Sequence, residues 1–195
     1  IIGLTGGMGV GKSTVARLFE ENGYPVYVAD TRAKELMTED KELKRKLISL
    51  LGEDAYTGEE LNRKYVAQKI FSDNELLKKQ NKLVHLAVKH DFETWVSLQT
   101  SDFCIKEAAI LFESGSYKAC DYTIVVTAPE SVRIQRILAR DQTTEEEVRK
   151  RLTNQWPQEE LVRLADFQIV NDSDINHLKD QVDDLIKQLR SKALQ

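Results

Sequence analysis

Ile1-Ile2-Gly3-Leu4-Thr5-Gly6-Gly7-Met8-Gly9-Val10-Gly11-Lys12-Ser13-Thr14-Val15 opens the chain and decides the fold. Ile1 to Leu4 reads as a buried strand, and Ser13 to about Asn22 has helical period. Between them, Gly6 to Ser13 fits G-x-x-x-x-G-K-[ST] without a mismatch. Each residue type has a physical task in that strand–loop–helix setting. Glycines let the backbone turn tightly and aim successive N–H groups at phosphate oxygens. The helix N-terminus adds a partial positive charge at the same point. Lys12 is placed to reach the β- and γ-phosphates, and the Ser13 hydroxyl to ligate Mg²⁺. Thr14, one residue on, can meet the α-phosphate. Gly7, Gly9, Val10, Gly11, Lys12, Ser13 and Thr14 are therefore the candidate nucleotide-binding residues, and a nucleoside triphosphate is the expected ligand.

Working outward, short apolar runs alternate with helical patterns. Val26 to Ala29 reads as a second strand, introduced by the turn residues Gly23 and Pro25. Phe103 through Leu111, Tyr122 to Val126 and Phe167 to Val170 read as further strands. Continuous apolar strands bounded by helices predict an α/β fold, a five-stranded parallel sheet flanked by helices. From Thr31 to about Trp95 the pattern is instead nearly all helical and rich in Lys, Glu and Leu. Leu43, Leu47, Leu50 and Leu51 share a face there, Gly52 is a helix stop, and Ser72-Asp73 caps a long helix to about Leu98. Thr143 to Leu164 reads as a charged helical stretch, and Ile175 to Leu194 as a final amphipathic helix. The division expected is a core of 1–30, 96–140 and 165–195, a helical insertion at 31–95, and a lid at 141–164.

The 195 residues are 41% hydrophobic and 31% charged, which excludes a disordered chain. Lys and Arg number 28 against 32 Asp and Glu, and a net charge of −4 argues against a nucleic-acid binder. No apolar stretch approaches the ~20 residues a membrane span needs. Cys104 and Cys120 lack metal-type spacing and read as small core residues of a reducing compartment. No leader-like segment precedes the loop, so a cytoplasmic location is expected. The sequence offers no reading of oligomeric state.

Among loop-bearing classes, a GTPase would show N-K-x-D and D-x-x-G. Asn81-Lys82-Leu83-Val84 lacks the aspartate, and no glycine has an aspartate three residues before it. A small kinase remains, and it makes two demands. An acceptor hydroxyl needs a carboxylate to take its proton. Asp30 closes the second strand, where open α/β sheets hold their ligands, although Asp is equally suited to cap the segment from Thr31. The transferring phosphoryl group needs cationic charge. Arg133, Arg136 and Arg140 share one helix face, and Arg140 ends that helix where a lid would hinge. Arg133, Lys150 and Arg163 read as a solvated face.

These residues resemble the dephospho-CoA kinase family over essentially the whole chain. Leu4-Thr5-Gly6-Gly7 is more specific than the generic loop, and Val26-Tyr27-Val28-Ala29-Asp30 is similar to the family's D-A-D strand end. Gly58, Leu61, Arg63, Ile70-Phe71 and Val84-His85-Leu86 follow in the insertion. Leu111-Phe112-Glu113 matches P-L-L-F-E, and Arg136 with Arg140-Asp141 matches R-x-x-x-R-D. Arg151, Gln155, Ala165-Asp166 and Asn171 complete the series. The resemblance implies ATP- and Mg²⁺-dependent phosphorylation of the ribose 3′-hydroxyl of dephospho-CoA, the last step of coenzyme A synthesis. It implies Asp30 as the base, Arg63 and His85 as acceptor contacts, Arg136 and Asn171 beside ATP, and Lys12 and Arg140 as the cations on the developing charge. Read on spacing alone, His85 is a histidine packed among Leu83, Leu86 and Val88.

Three positions depart from the family. Val28 replaces the first Asp of D-A-D, Leu86 the proline after the histidine, and Ala109 the proline before Ile110. Glu107 is a possible substitute carboxylate. A nucleoside or nucleotide kinase with another acceptor, and a non-catalytic nucleotide-binding switch, are the rival readings.

Overall fold

A computed structural model of the chain describes residues 1–71 and 73–193, the last for its backbone alone. Ser72 of the expected cap pair and Leu194 lie outside the described residues. The chain divides into a sheet unit, Ile1–Val28 with Thr100–Gln195, and a helical unit, Ala29–Gln99. The sheet unit opens with β1 (Ile2–Thr5), α1 (Lys12–Glu21) and β2 (Val26–Val28). The helical unit follows as α2 (Ala29–Glu39), α3 (Lys41–Leu51), β3 (Tyr56–Thr57), β4 (Glu60–Leu61), α4 (Arg63–Phe71) and α5 (Asn74–Ser97). The sheet unit resumes with β5 (Ile105–Glu107), β6 (Tyr122–Thr127), α6 (Glu130–Arg140), α7 (Glu145–Thr153), α8 (Gln158–Leu164), β7 (Phe167–Val170) and α9 (Ile175–Ala193).

Five parallel strands run in the order β2-β5-β1-β6-β7, so the strand that leads into the phosphate loop is central. All four residues of β1 are buried, as a parallel strand covered on both faces requires. Alternation along β6 divides the core. Ile124 and Val126 join Leu4, Ile105 and Ile169 under α1 and α9, whereas Val125 packs with Phe112 and Leu161 of α8 on the other face. Leu178, Val182, Leu185 and Leu189 form the buried stripe of α9, each stabilising by about 1.5–3 kcal/mol. Asp166 ties β7 to β6, since its Oδ2 accepts from Thr123 N–H and Oγ1, both at 2.8 Å.

Three expected elements differ, the first being β2, which ends at Val28 and not at Ala29 because α2 already begins there. The strand expected to run from Phe103 to Leu111 is confined to Ile105–Glu107, and the chain then turns away. Leu111 is nevertheless fully buried, because it covers the face of Gly3, where an added Cβ would come within 2.7 Å of Leu111 Cδ2. Its apolarity therefore reflects a lid over the sheet face rather than a strand. The stretch Thr143–Leu164 is two helices, since Pro157 supplies no N–H and begins α8 afresh.

In the helical unit, Asp40 caps α3 by accepting from the Glu42 and Leu43 N–H groups. Gly52 stops that helix at φ 100°. Asp73 caps α5, which buries Gln80, Val84, Val88 and Phe92 and runs unbroken past Leu86. Arg32 of α2 clamps α5 by donating from Nη2 and Nε to Asp91 at 2.8 and 3.1 Å, and donates to Glu35 at 2.7 Å. Those carboxylates hold its guanidinium well above its ordinary pKa. Burial pushes the Tyr56 hydroxyl up to about 12. It donates to Met37 O at 2.6 Å, which fastens the β3–β4 hairpin to α2.

Both cysteines are free, Cys104 buried and Cys120 half-buried, and burial raises both thiols. Among the described residues no helix is long and apolar enough to cross a membrane.

Candidate active site

Side chains distant in sequence hold the phosphate loop. Asn171, directly after β7 and buried, donates from Nδ2 to Val10 O at 2.8 Å. Its Oδ1 and main-chain O both accept from Arg136 Nη2 at 3.2 Å, and Arg136 Nη1 reaches Val10 O at 3.4 Å. Gly11 sits where this brace meets the start of α1. Its φ of 92° is left-handed, and a Cβ there would collide with Asn171 Nδ2, so only glycine fits.

A cavity of about 480 Å³ opens on the loop, lined by Gly7, Gly9, Lys12, Ser13, Glu107, Arg136, Arg140 and Gln155 among others. Lys12 Nζ donates to Gly6 O at 2.9 Å and lies 3.8 Å from Glu107 Oε1. Glu107 is buried at the carboxyl end of β5, in register with Val28 of β2 on one side and Leu4 of β1 on the other. A carboxylate is thus present beside the position where Val28 lacks one. Arg140, the last residue of α6, is exposed at the cavity and grips Asp141 through Nε and Nη2 at 2.7 and 3.1 Å. That pairing raises the Arg140 pKa and lowers that of Asp141.

Arg133 departs from the solvated reading. It is only 7% exposed, donates from Nε to Met8 O at 2.9 Å, and burial lowers its pKa. The residues on its helix face did not reveal this, because the partners are Met8 and Gln155, far away in sequence. Lys150 and Arg163 are exposed, as expected. Among the described residues no three His, Cys, Asp or Glu side chains group to hold a metal ion. The oxygen donors at the loop are the exposed Ser13 hydroxyl and the Glu107 carboxylate, which line the same cavity.

The other three predicted residues belong to the helical unit, each on a different helix. Asp30 is exposed in the first turn of α2, two residues beyond β2, and lies within the helix instead of capping it. Arg63 opens α4 and is exposed. His85 is exposed beside exposed Leu86, because the buried stripe of α5 runs through Val84 and Val88. It is not packed among its apolar neighbours.

A phosphate loop after the central strand of a parallel sheet, with a lysine and two arginines lining its cavity, defines a P-loop phosphotransferase. The family model for dephospho-CoA kinase matches residues 1–177. The chain is similar to a dephospho-CoA kinase of Porphyromonas gingivalis, 39% identical over 191 residues that cover 98% of this chain and 95% of that one. It also matches a crystal structure from Thermus thermophilus with a TM-score of 0.84 and 34% identity, covering 96% of both chains. The dephospho-CoA kinase of Campylobacter jejuni shares the fold, with a TM-score of 0.71, 22% identity and 96% coverage of both. The chain belongs to the dephospho-CoA kinase family.

Proposed function

We propose that this chain transfers the terminal phosphoryl group of ATP to the ribose 3′-hydroxyl of dephospho-CoA, with the sheet unit holding the nucleotide and the helical unit, as the acceptor-binding insertion, holding the acceptor. The reaction is that of its family. One observation carries the assignment of roles: Lys12 lies between Gly6 O and buried Glu107 in a cavity that Arg136 and Arg140 also line.

Backbone N–H groups of the loop and the α1 N-terminus bind the phosphates, with Gly7, Gly9, Val10, Gly11 and Thr14 completing the cradle. Lys12 and Arg140 neutralise the charge that spreads over the transferring group. Arg136 and Asn171 act by bracing Val10, so that the cradle is formed before the nucleotide arrives. The Ser13 hydroxyl and Glu107 offer hard oxygen donors, a set that fits Mg²⁺, which binds with few protein ligands. When bound, the ion would offset the negative charge of the phosphates. Asp30 accepts the proton of the acceptor hydroxyl, a contribution of about 10²–10⁴-fold. Arg63 and His85 supply a cation and a hydrogen-bonding imidazole for the acceptor. Residues 141–164 form a lid that excludes water during transfer. A cytoplasmic setting suits the two free thiols.

An ADP-release assay across dephospho-CoA, AMP, CMP and adenosine tests the acceptor. Strong activity with dephospho-CoA and little with the others is expected. Strong activity with a monophosphate and none with dephospho-CoA would overturn the reading.

A further inference from the structure

Gln155, between α7 and α8, has no role in the account above, and its carboxamide is held in a way that gives it one. Its Oε1 accepts from Met8 N–H at 2.9 Å and from Arg133 Nη2 at 3.2 Å, while Arg133 Nε donates to Met8 O. Both partners of that carboxamide are donors, so only its oxygen can face them, and Nε2 must lie on the other side. Among the described residues Nε2 has no protein partner, and Gln155 lines the loop cavity with Lys12, Ser13, Arg136 and Arg140. The approach to the loop is close. A Cβ on Gly7 would come 2.6 Å from Arg133 Nη2 and 3.1 Å from Gln155 Oε1.

Lys12 shows which end of the loop this is. A loop lysine reaches the β- and γ-phosphates, and its amine here rests on Gly6 O, beside Gly7 and Met8. The remaining backbone donors run from Gly9 into the α1 N-terminus, where the α- and β-phosphates are cradled. We infer that Gln155 is a binding residue for the terminal phosphate: with Oε1 anchored on Met8 and Arg133, Nε2 donates to a γ-phosphoryl oxygen. Arg133 is then a positioning residue that fixes the carboxamide. The contact exists with ATP and not with ADP, so it tells the α7–α8 segment which nucleotide is bound and is lost once the phosphoryl group has left. The inference rests on the reading that the loop binds ATP.

Binding of AMP-PNP and of ADP, without acceptor, to the wild type, Gln155→Ala and Gln155→Glu tests it. Gln155→Ala should weaken AMP-PNP about tenfold, the worth of one hydrogen bond to a charged group, and change ADP less than about twofold. Gln155→Glu keeps an acceptor for Met8 and Arg133 but has no donor and adds a negative charge. It should keep the wild-type melting temperature and weaken AMP-PNP more than the alanine variant does. It also decides the question if Gln155→Ala does not fold. Equal weakening of both nucleotides in either variant, or wild-type AMP-PNP affinity in Gln155→Glu, would reduce Gln155 to a structural brace and overturn the inference. Failure of the wild type to bind AMP-PNP would overturn the ATP reading together with this one.

Discussion

The residues that brace the phosphate loop and the residues proposed to meet the acceptor sit in opposite environments. Around the phosphate loop, Asn171 and Arg133 are buried and Arg136 half-buried, and each hydrogen-bonds loop backbone from more than a hundred residues away. In the helical unit Asp30, Arg63 and His85 are exposed on three separate helices. A phosphate cradle must exist before the ligand arrives, because backbone N–H groups cannot reorganise cheaply. In the roles proposed for them, Asp30, Arg63 and His85 need only reach solvent until substrate displaces it. The net charge of −4 conceals a local excess of cations, since Lys12, Arg136 and Arg140 gather at one cavity.

Removing a brace should therefore cost both stability and nucleotide affinity. Asn171→Ala leaves Val10 O without its best donor and Arg136 without a carboxamide partner, an expected loss of about 1–3 kcal/mol. Urea unfolding and ATP titration should shift together. A variant with wild-type stability would show that the loop holds its shape without Asn171. A smaller and separable effect is expected in the helical unit. Arg32→Ala breaks the clamp between α2 and α5 and should lower stability by about 1 kcal/mol, or about 2–4 °C in Tm, because the pair is partly solvated. Its ATP affinity should stay at the wild-type value. A weakened ATP affinity would break the separation of roles drawn here.

What could be read from the sequence was whatever local spacing specifies. The strand–loop–helix at Ile2–Glu21, the Gly52 stop, the Asp73 start of α5 and the position of Arg140 at the end of α6 all follow from periodicity and capping chemistry. The β3–β4 hairpin was missed because two-residue strands are too short to show alternation. The break before α8 has a local signal, Trp156-Pro157, set in a charge pattern that reads as one continuous helical stretch. Arg133, Arg136 and Arg140 share one face, yet their environments run from buried to exposed. Helical spacing groups side chains but does not say what will pack on them. The roles of Asn171 and Gln155 depend in the same way on contacts that only the folded chain supplies. Strand register, which spacing along the chain does not specify, places Glu107 beside Val28.

The most direct test of the account separates binding from transfer at Asp30. ATP affinity and single-turnover phosphoryl transfer to dephospho-CoA would be measured for the wild type and Asp30→Asn. The account predicts unchanged ATP affinity and a transfer rate lower by about 10²–10⁴-fold. Near-normal transfer in Asp30→Asn would contradict it and remove Asp30 from the mechanism.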